Sequence, residues 1–191
     1  MMTKADFRSE FLKRRLALSE KERSRFDDLI LIHFQQWQWP EGIENVLSYW
    51  PLQEKAEPST FLLTDFMEFR IPWLNLAFPV IHAGQPLMDA LLVNEQTNYR
   101  KNKYGIAEPT EGQVMDPAAV DLVLVPLLAI DKQGYRLGYG KGYYDRYLAS
   151  LRPDCYKLGI SYFEPVEALP GLDQYDLPLN GCITPDEFYE F

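Results

Sequence analysis

Between Arg136 and Asp145 the chain reads RLGYGKGYYD, a run whose residue types suit phosphate and a divalent cation. Gly138, Gly140 and Gly142 alternate with Tyr139 and Lys141, so backbone N–H groups can approach an anion with no Cβ in the way. Arg136 and Lys141 add full positive charges, and Asp145 adds the hard oxygen donor that magnesium takes. Plain turns also use glycine, and Asp145 at the start of a helix could equally be a cap. The run is not a P-loop, because Lys141 is followed by Gly142 where that pattern needs Ser or Thr for the metal. Its glycine spacing is not that of the dinucleotide fingerprint either.

The flanking segments say what must hold this loop. VDLVLVPLLAI before it is a continuous apolar run and predicts a buried strand over 121–130. YYDRYLASL after it has Tyr144, Tyr147, Leu148 and Leu151 at helical spacing. Strand, glycine loop and helix would place the helix N-terminus toward an anion. At the start of the chain, Thr3 with Asp6 resembles a capping box, and the helix it opens puts Lys4 and Arg8 on one face, with Phe7, Phe11 and Leu12 as an apolar stripe. From spacing alone Lys4 and Arg8 read as a solvated face. Ser19 with Glu22 opens a second helix whose Phe26, Leu29, Ile30 and Phe34 face the core. Strands are predicted at 45–50, around LAFPVI, around MDALLV and near YKLGI, with a helix over STFLLTDFMEF. Residues 94–118 carry turn chemistry and little periodicity, a long stretch of the kind that often serves function. Strands alternating with helices predict an α/β fold with a largely parallel sheet flanked by helices, and ligands at the carboxyl ends of its strands.

The bulk properties narrow the class. The 191 residues predict one domain, 1–191, with 47% hydrophobic and 25% charged residues and no low-complexity tract. The net charge of −9 argues against a nucleic-acid binder, and any anionic ligand would need a local cluster of cations. Cys155 and Cys182 match no metal or disulfide framework and read as reduced thiols of a cytoplasmic protein. The N-terminus has no signal-peptide pattern, and no stretch is long enough to cross a bilayer. His33 and His82 have no acid–base partner in sequence and receive no role.

RLGYGKGYYDRYL closely resembles the motif of the 5-formyltetrahydrofolate cyclo-ligases, also called methenyltetrahydrofolate synthetases. VDLVLVPLLAID, KYGIAEP at 103–109, the KADFR opening and YDLPL near the end resemble further segments of that family in the same order. The resemblance implies a fold similar to sugar-phosphate isomerases and CoA-transferases, and action on a reduced folate and ATP with Mg2+; the chain is expected to act as a monomer. It implies that Lys4, Arg8 and the loop residues Arg136, Leu137, Gly138, Tyr139, Gly140, Lys141, Gly142, Tyr143 and Tyr144 meet ATP, with Lys141 and Arg136 catalytic. It further implies that Tyr49, Trp50, Glu57, Tyr104, Glu108, Tyr139 and Tyr143 meet the folate, and that Asp145 and Asp176 hold the metal. Core packing is the alternative for Tyr144, and an ordinary turn for Asp176. The chain departs from the family at EPST, where Ser59 stands at a position usually acidic. The rival readings are an isomerase or CoA-transferase relative, which would need neither ATP nor the aspartate pair, and a folate- or nucleotide-binding protein without catalysis.

Overall fold

The computed structural model describes residues 2–191. Helix α1 (Lys4–Leu16) opens on a complete capping box: the Thr3 hydroxyl accepts the Asp6 N–H at 3.2 Å and the Asp6 carboxylate accepts the Thr3 N–H at 2.8 Å. Ser19 and Glu22 do the same for α2 (Glu20–Gln36). These reciprocal bonds satisfy N–H groups that a helix start leaves without partners. There follow β1 (Asn45–Leu47), α3 (Phe61–Arg70), β2 (Asn75–Ile81), β3 (Met88–Leu92), β4 (Tyr99–Lys101), β5 (Ala107–Pro109) and β6 (Leu122–Val125). The chain ends with β7 (Ala129–Ile130), β8 (Arg136–Leu137), α4 (Tyr143–Ala149), β9 (Tyr156–Ile160), β10 (Gly181–Ile183) and β11 (Phe188–Glu190).

One seven-stranded sheet organises the molecule, in the order β11-β10-β9-β6-β1-β2-β3. Its five inner strands run parallel, and β3 and β11 close the two edges antiparallel. The central strand β6 shows why the sheet is buried on both faces. Leu122 and Leu124 join the core beneath α2 and α3, with Ile30, Phe34, Leu63 and Met67, while Val123 and Val125 join Tyr147 and Leu148 of α4 on the other side. That is the two-residue alternation of a strand with apolar residues at both phases.

The predicted strand over 121–130 is in fact two. Strand β6 stops at Val125, because Pro126 has no N–H to continue a ladder, and the chain turns into β7, which pairs with β8 in a separate antiparallel ribbon. The glycine loop therefore leaves the ribbon and not the sheet strand directly. Buried Asp131 shapes the ribbon's turn, accepting the N–H groups of Gln133 and Tyr135 at 3.0 Å each, and of Leu169 at 3.1 Å. Phe11 of α1 packs on Leu128, Ala129 and Leu137 of the ribbon, so α1 lies beside the glycine loop. Residues 94–118, read as loop, contain a second small ribbon of β4 and β5.

Candidate active site

The carboxyl ends of β1, β2 and β6 and the glycine loop surround a cleft of about 720 Å³. Every residue nominated from the sequence lines it, from Lys4 and Arg8 at one end of the chain to Asp176 at the other. The cations needed to offset the net charge of −9 thus converge: Lys4, Arg8, Arg136 and Lys141 share this cleft, joined by Lys55 and Lys103.

On the polar side, β8 delivers Leu137 and the loop Gly138–Gly142 follows. Gly140 and Gly142 have φ of +78° and +73°, the left-handed region that only glycine enters without strain. A Cβ at Gly140 would lie 3.0 Å from Cζ of Arg8, whose Nε donates to the Gly138 carbonyl at 2.9 Å. Helix α1 is thereby seated on the loop. Gly138 differs: its φ is not positive, and a Cβ there would meet nothing within 4 Å. The protein's own packing does not require glycine at that position. Helix α4 has only seven residues and follows Gly142, an N-cap with no side chain to bond its first turn, so side chains supply the site's charge.

The cations divide into two kinds. Lys4 Nζ bonds Asp176 at 2.8 Å, and Arg136 Nη2 bonds Asp145 at 2.6 Å. Arg136 is buried, and its Nη1 is directed to the Leu177 carbonyl at 3.3 Å, so much of its fork is engaged within the protein. Burial pulls its pKa down and the adjacent Asp145 and Asp176 charges oppose that. Arg8 and Lys141 make no ion pair among the described residues, which leaves them free for an anion. Asp145 is no helix cap, since its carboxylate meets Arg136. Asp176 is both a turn residue, accepting the Asp173 N–H at 2.8 Å, and part of the cleft.

Asp145 Oδ1 and Asp176 Oδ2 carry these bonds, and the second oxygen of each carboxylate accepts none among the described residues. Two hard donors lining the same cation-rich cleft fit Mg2+, which is held by one or two carboxylates together with substrate phosphates. No group of three potential ligands exists among the described residues, so the pair fits a metal shared with a ligand and not a closed protein site.

The other half of the cleft is aromatic and apolar. Trp50 packs between Phe61 and Tyr99, both with ring centroids at 5.0 Å, and Pro79, Ile81, Met88 and Ile106 extend the wall. Glu108 is tied into this wall, accepting the Ile81 N–H at 2.9 Å and Asn102 Nδ2–H at 2.7 Å, and so fastens the β4–β5 ribbon to β2. Tyr104, at the ribbon's exposed tip, has its phenol drawn below the ordinary range, first by Tyr143 and then by Lys103 and Lys141. Tyr49 is buried at the end of β1. Tyr144 packs against both cores, as its alternative reading holds, yet its buried hydroxyl borders the cleft with no partner among the described residues. Ser59 does not line the cleft, and its N–H is held by Asp27 at 3.0 Å, so the EPST departure falls beside the site.

Glu57 joins the two halves. It accepts the Leu52 N–H at 2.8 Å and the hydroxyl of Tyr139 from the glycine loop. Burial pushes its carboxyl upward, against those bonds and the charges of Arg15 and Lys55. Arg15, which also bonds the Tyr139 hydroxyl, has no counterpart in the sequence reading. It stands last among Lys13, Arg14 and Arg15 at the end of α1, where basic residues suit the helix dipole. No local signal separates it from its neighbours.

A model of the 5-formyltetrahydrofolate cyclo-ligase family matches residues 1–185. The chain is 29% identical to the 5-formyltetrahydrofolate cyclo-ligase of Mycoplasma pneumoniae, over 96% of this chain and 99% of that one. It is 28% identical to the mouse enzyme of the same name, over 96% and 94%. Among solved structures, the NMR structure of Aquifex aeolicus 5,10-methenyltetrahydrofolate synthetase superposes with a TM-score of 0.82 at 30% identity, covering 99% of this chain and 93% of that one. The 5,10-methenyltetrahydrofolate synthetase structure from Mycoplasma pneumoniae gives 0.74 at 28%, covering 95% and 98%. With its motifs gathered in one cleft and the family matched along nearly its whole length, the chain belongs to the 5-formyltetrahydrofolate cyclo-ligase family.

Proposed function

We propose that this protein closes 5-formyltetrahydrofolate to 5,10-methenyltetrahydrofolate at the expense of ATP. The observation that carries the reading is the convergence of a cation-lined glycine loop and an aromatic slot in one cleft, built from both ends of the chain. In the reaction the formyl oxygen attacks the γ-phosphorus of ATP and ADP departs. The neighbouring folate nitrogen then attacks the activated carbon and gives up its proton, and phosphate leaves with the former formyl oxygen. No protein nucleophile is needed. The protein's work is to position the reactants and stabilise charge on the transferred phosphoryl group.

Arg8 and Lys141, which make no ion pair among the described residues, meet the phosphates in this reading, with backbone from Leu137 to Gly142 beside them. Lys141 stabilises the charge that develops during transfer. Arg136 serves mainly by holding Asp145 and the field around Asp176, and Lys4 by anchoring Asp176 to α1. Mg2+, held by Asp145 and Asp176 together with the nucleotide, would neutralise phosphate charge. Gly138 leaves room for close approach of ATP. Trp50 and the aliphatic wall take the pterin, Glu57 and the free Tyr144 hydroxyl orient it, and Tyr49, Tyr104, Glu108, Tyr139 and Tyr143 complete the enclosure. Since one copy of the chain supplies the whole cleft, a monomer suffices, and the buried free thiols Cys155 and Cys182 suit the cytoplasm. The test is ADP release with 5-formyltetrahydrofolate and with tetrahydrofolate lacking the formyl group. The reading requires release with the first only; equal release with both would make the protein an ATPase of another kind.

A further inference from the structure

We propose that Arg15 is a positioning residue for folate recognition, fixing the Tyr139 hydroxyl and through it the Glu57 carboxylate at the junction of the two halves of the cleft. The proposal rests on the reading above, in which Glu57 meets the folate. Arg15 is only 3% exposed, although it lies in a run of bases at a helix end. All three guanidinium nitrogens are engaged, each with a different segment. Nε donates to the Lys55 carbonyl at 2.8 Å, Nη1 to the Leu127 carbonyl at 2.9 Å, and Nη2 to the Tyr139 hydroxyl. One side chain of α1 thus ties together the turn that leads to Glu57, the segment after β6 and the glycine loop.

The chemistry of these groups fixes the direction of the chain. A guanidinium has donors only, so the Tyr139 oxygen must accept from Arg15. Its own proton is then committed to Glu57 Oε1. The Leu52 N–H occupies Oε2, and the carboxylate's remaining lone pairs are what a ligand can use. Without Arg15, the Tyr139 hydroxyl loses its fixed orientation and the buried carboxylate loses a cation whose charge favours its ionised form.

The groups facing Glu57 from its surroundings are Arg15 on α1, Tyr139 on the loop, Tyr49 after β1, Tyr144 on α4 and Lys55 in its own segment. Burial already raises the carboxyl, and Arg15 and the Tyr139 hydrogen bond work against that rise. Removing either pushes Glu57 further up. More of it is then protonated at mildly acid pH, and the ionised acceptor is lost to the folate.

The test measures binding of 5-formyltetrahydrofolate to the full chain by tryptophan fluorescence, from mildly acid to mildly alkaline pH, with thermal melting alongside. Arg15→Met should weaken binding at the acid end by about tenfold for each unit that Glu57 rises, and approach the wild type at the alkaline end. Arg15→Lys, which keeps the charge, should restore part of the loss. If Arg15→Met does not fold, Tyr139→Phe, which leaves Arg15 on its two carbonyls, should displace the pH dependence in the same direction. A wild-type pH dependence in folded variants, or a loss uniform across pH that follows the melting temperature, would overturn the proposal. Turnover is recorded on the same wild-type preparation. Folate binding without turnover would count against the functional reading and leave the Arg15 comparison intact.

Discussion

Replacing Lys141 with alanine separates what the glycine loop does for the fold from what it does for the reaction. The Lys141 side chain is exposed and forms no ion pair among the described residues. Its one notable neighbour is the Tyr104 ring, with Nζ 5.9 Å from the centroid. An exposed contact of that kind is worth about 1 kcal/mol at most, so the variant should melt within about 4 °C of the wild type. The charge is therefore available to the transition state. Loss of one preorganised charge-stabilising group lowers kcat by roughly 10²–10³, equivalent to about 3–4 kcal/mol. Steady-state formation of the methenyl product, measured at saturating ATP and folate beside a melting curve, gives both numbers. A fall in kcat of less than about tenfold, an effect too small for such a group, would remove Lys141 from phosphoryl transfer. A large loss of stability would show that the loop needs this charge to fold.

Asp145→Asn should raise the magnesium concentration needed for half-maximal turnover while leaving folate binding unchanged, because the carboxylate lies on the glycine-loop side of the cleft; an unchanged metal dependence would confine Asp145 to holding Arg136. Gly138→Ala should fold as stably as the wild type, since its φ is not positive and its Cβ would meet no protein atom within 4 Å, yet the KM for ATP should rise; an unaltered KM would mean that ATP does not pass close to this backbone. The Asp176 carboxyl lies below its ordinary range: burial raises it, but hydrogen bonds from Lys4 and the Asp173 N–H and the charges of Lys4 and Arg136 outweigh burial. A carboxyl lowered in the folded state adds stability that is complete above its unfolded value and is lost as pH falls through the folded one. The melting-temperature difference between wild type and Lys4→Met should therefore be largest near neutrality and shrink below about pH 5; a difference constant with pH would show that the bridge has no such linkage.

What the sequence reveals about this protein follows the range of the interactions. The two capping boxes are legible because each is closed by residues three apart, and the glycine loop because its chemistry lies within ten residues. The split at Pro126 is harder to see, since Leu127 to Ile130 continue the apolar run although the strand has ended, and Ala129 and Ile130 pair in another ribbon. Strand β4 escapes detection because Tyr99, Arg100 and Lys101 are all exposed and give no burial period. Arg136 reads as a free phosphate ligand in the sequence, whereas its burial against Asp145 depends on how the ribbon meets α4. Arg15 lies deepest of all. Its partners are 40, 112 and 124 residues away, and only the tertiary fold distinguishes it from Lys13 and Arg14.

The proposed cleft binds ATP and 5-formyltetrahydrofolate together and uses the first to close a ring in the second. Purified protein mixed with 5-formyltetrahydrofolate, ATP and magnesium, and followed by the near-ultraviolet absorbance of the methenyl product, tests this directly. The absorbance should rise only with ATP present and stop rising when magnesium is chelated. Well-folded protein that gives no rise would contradict the proposal.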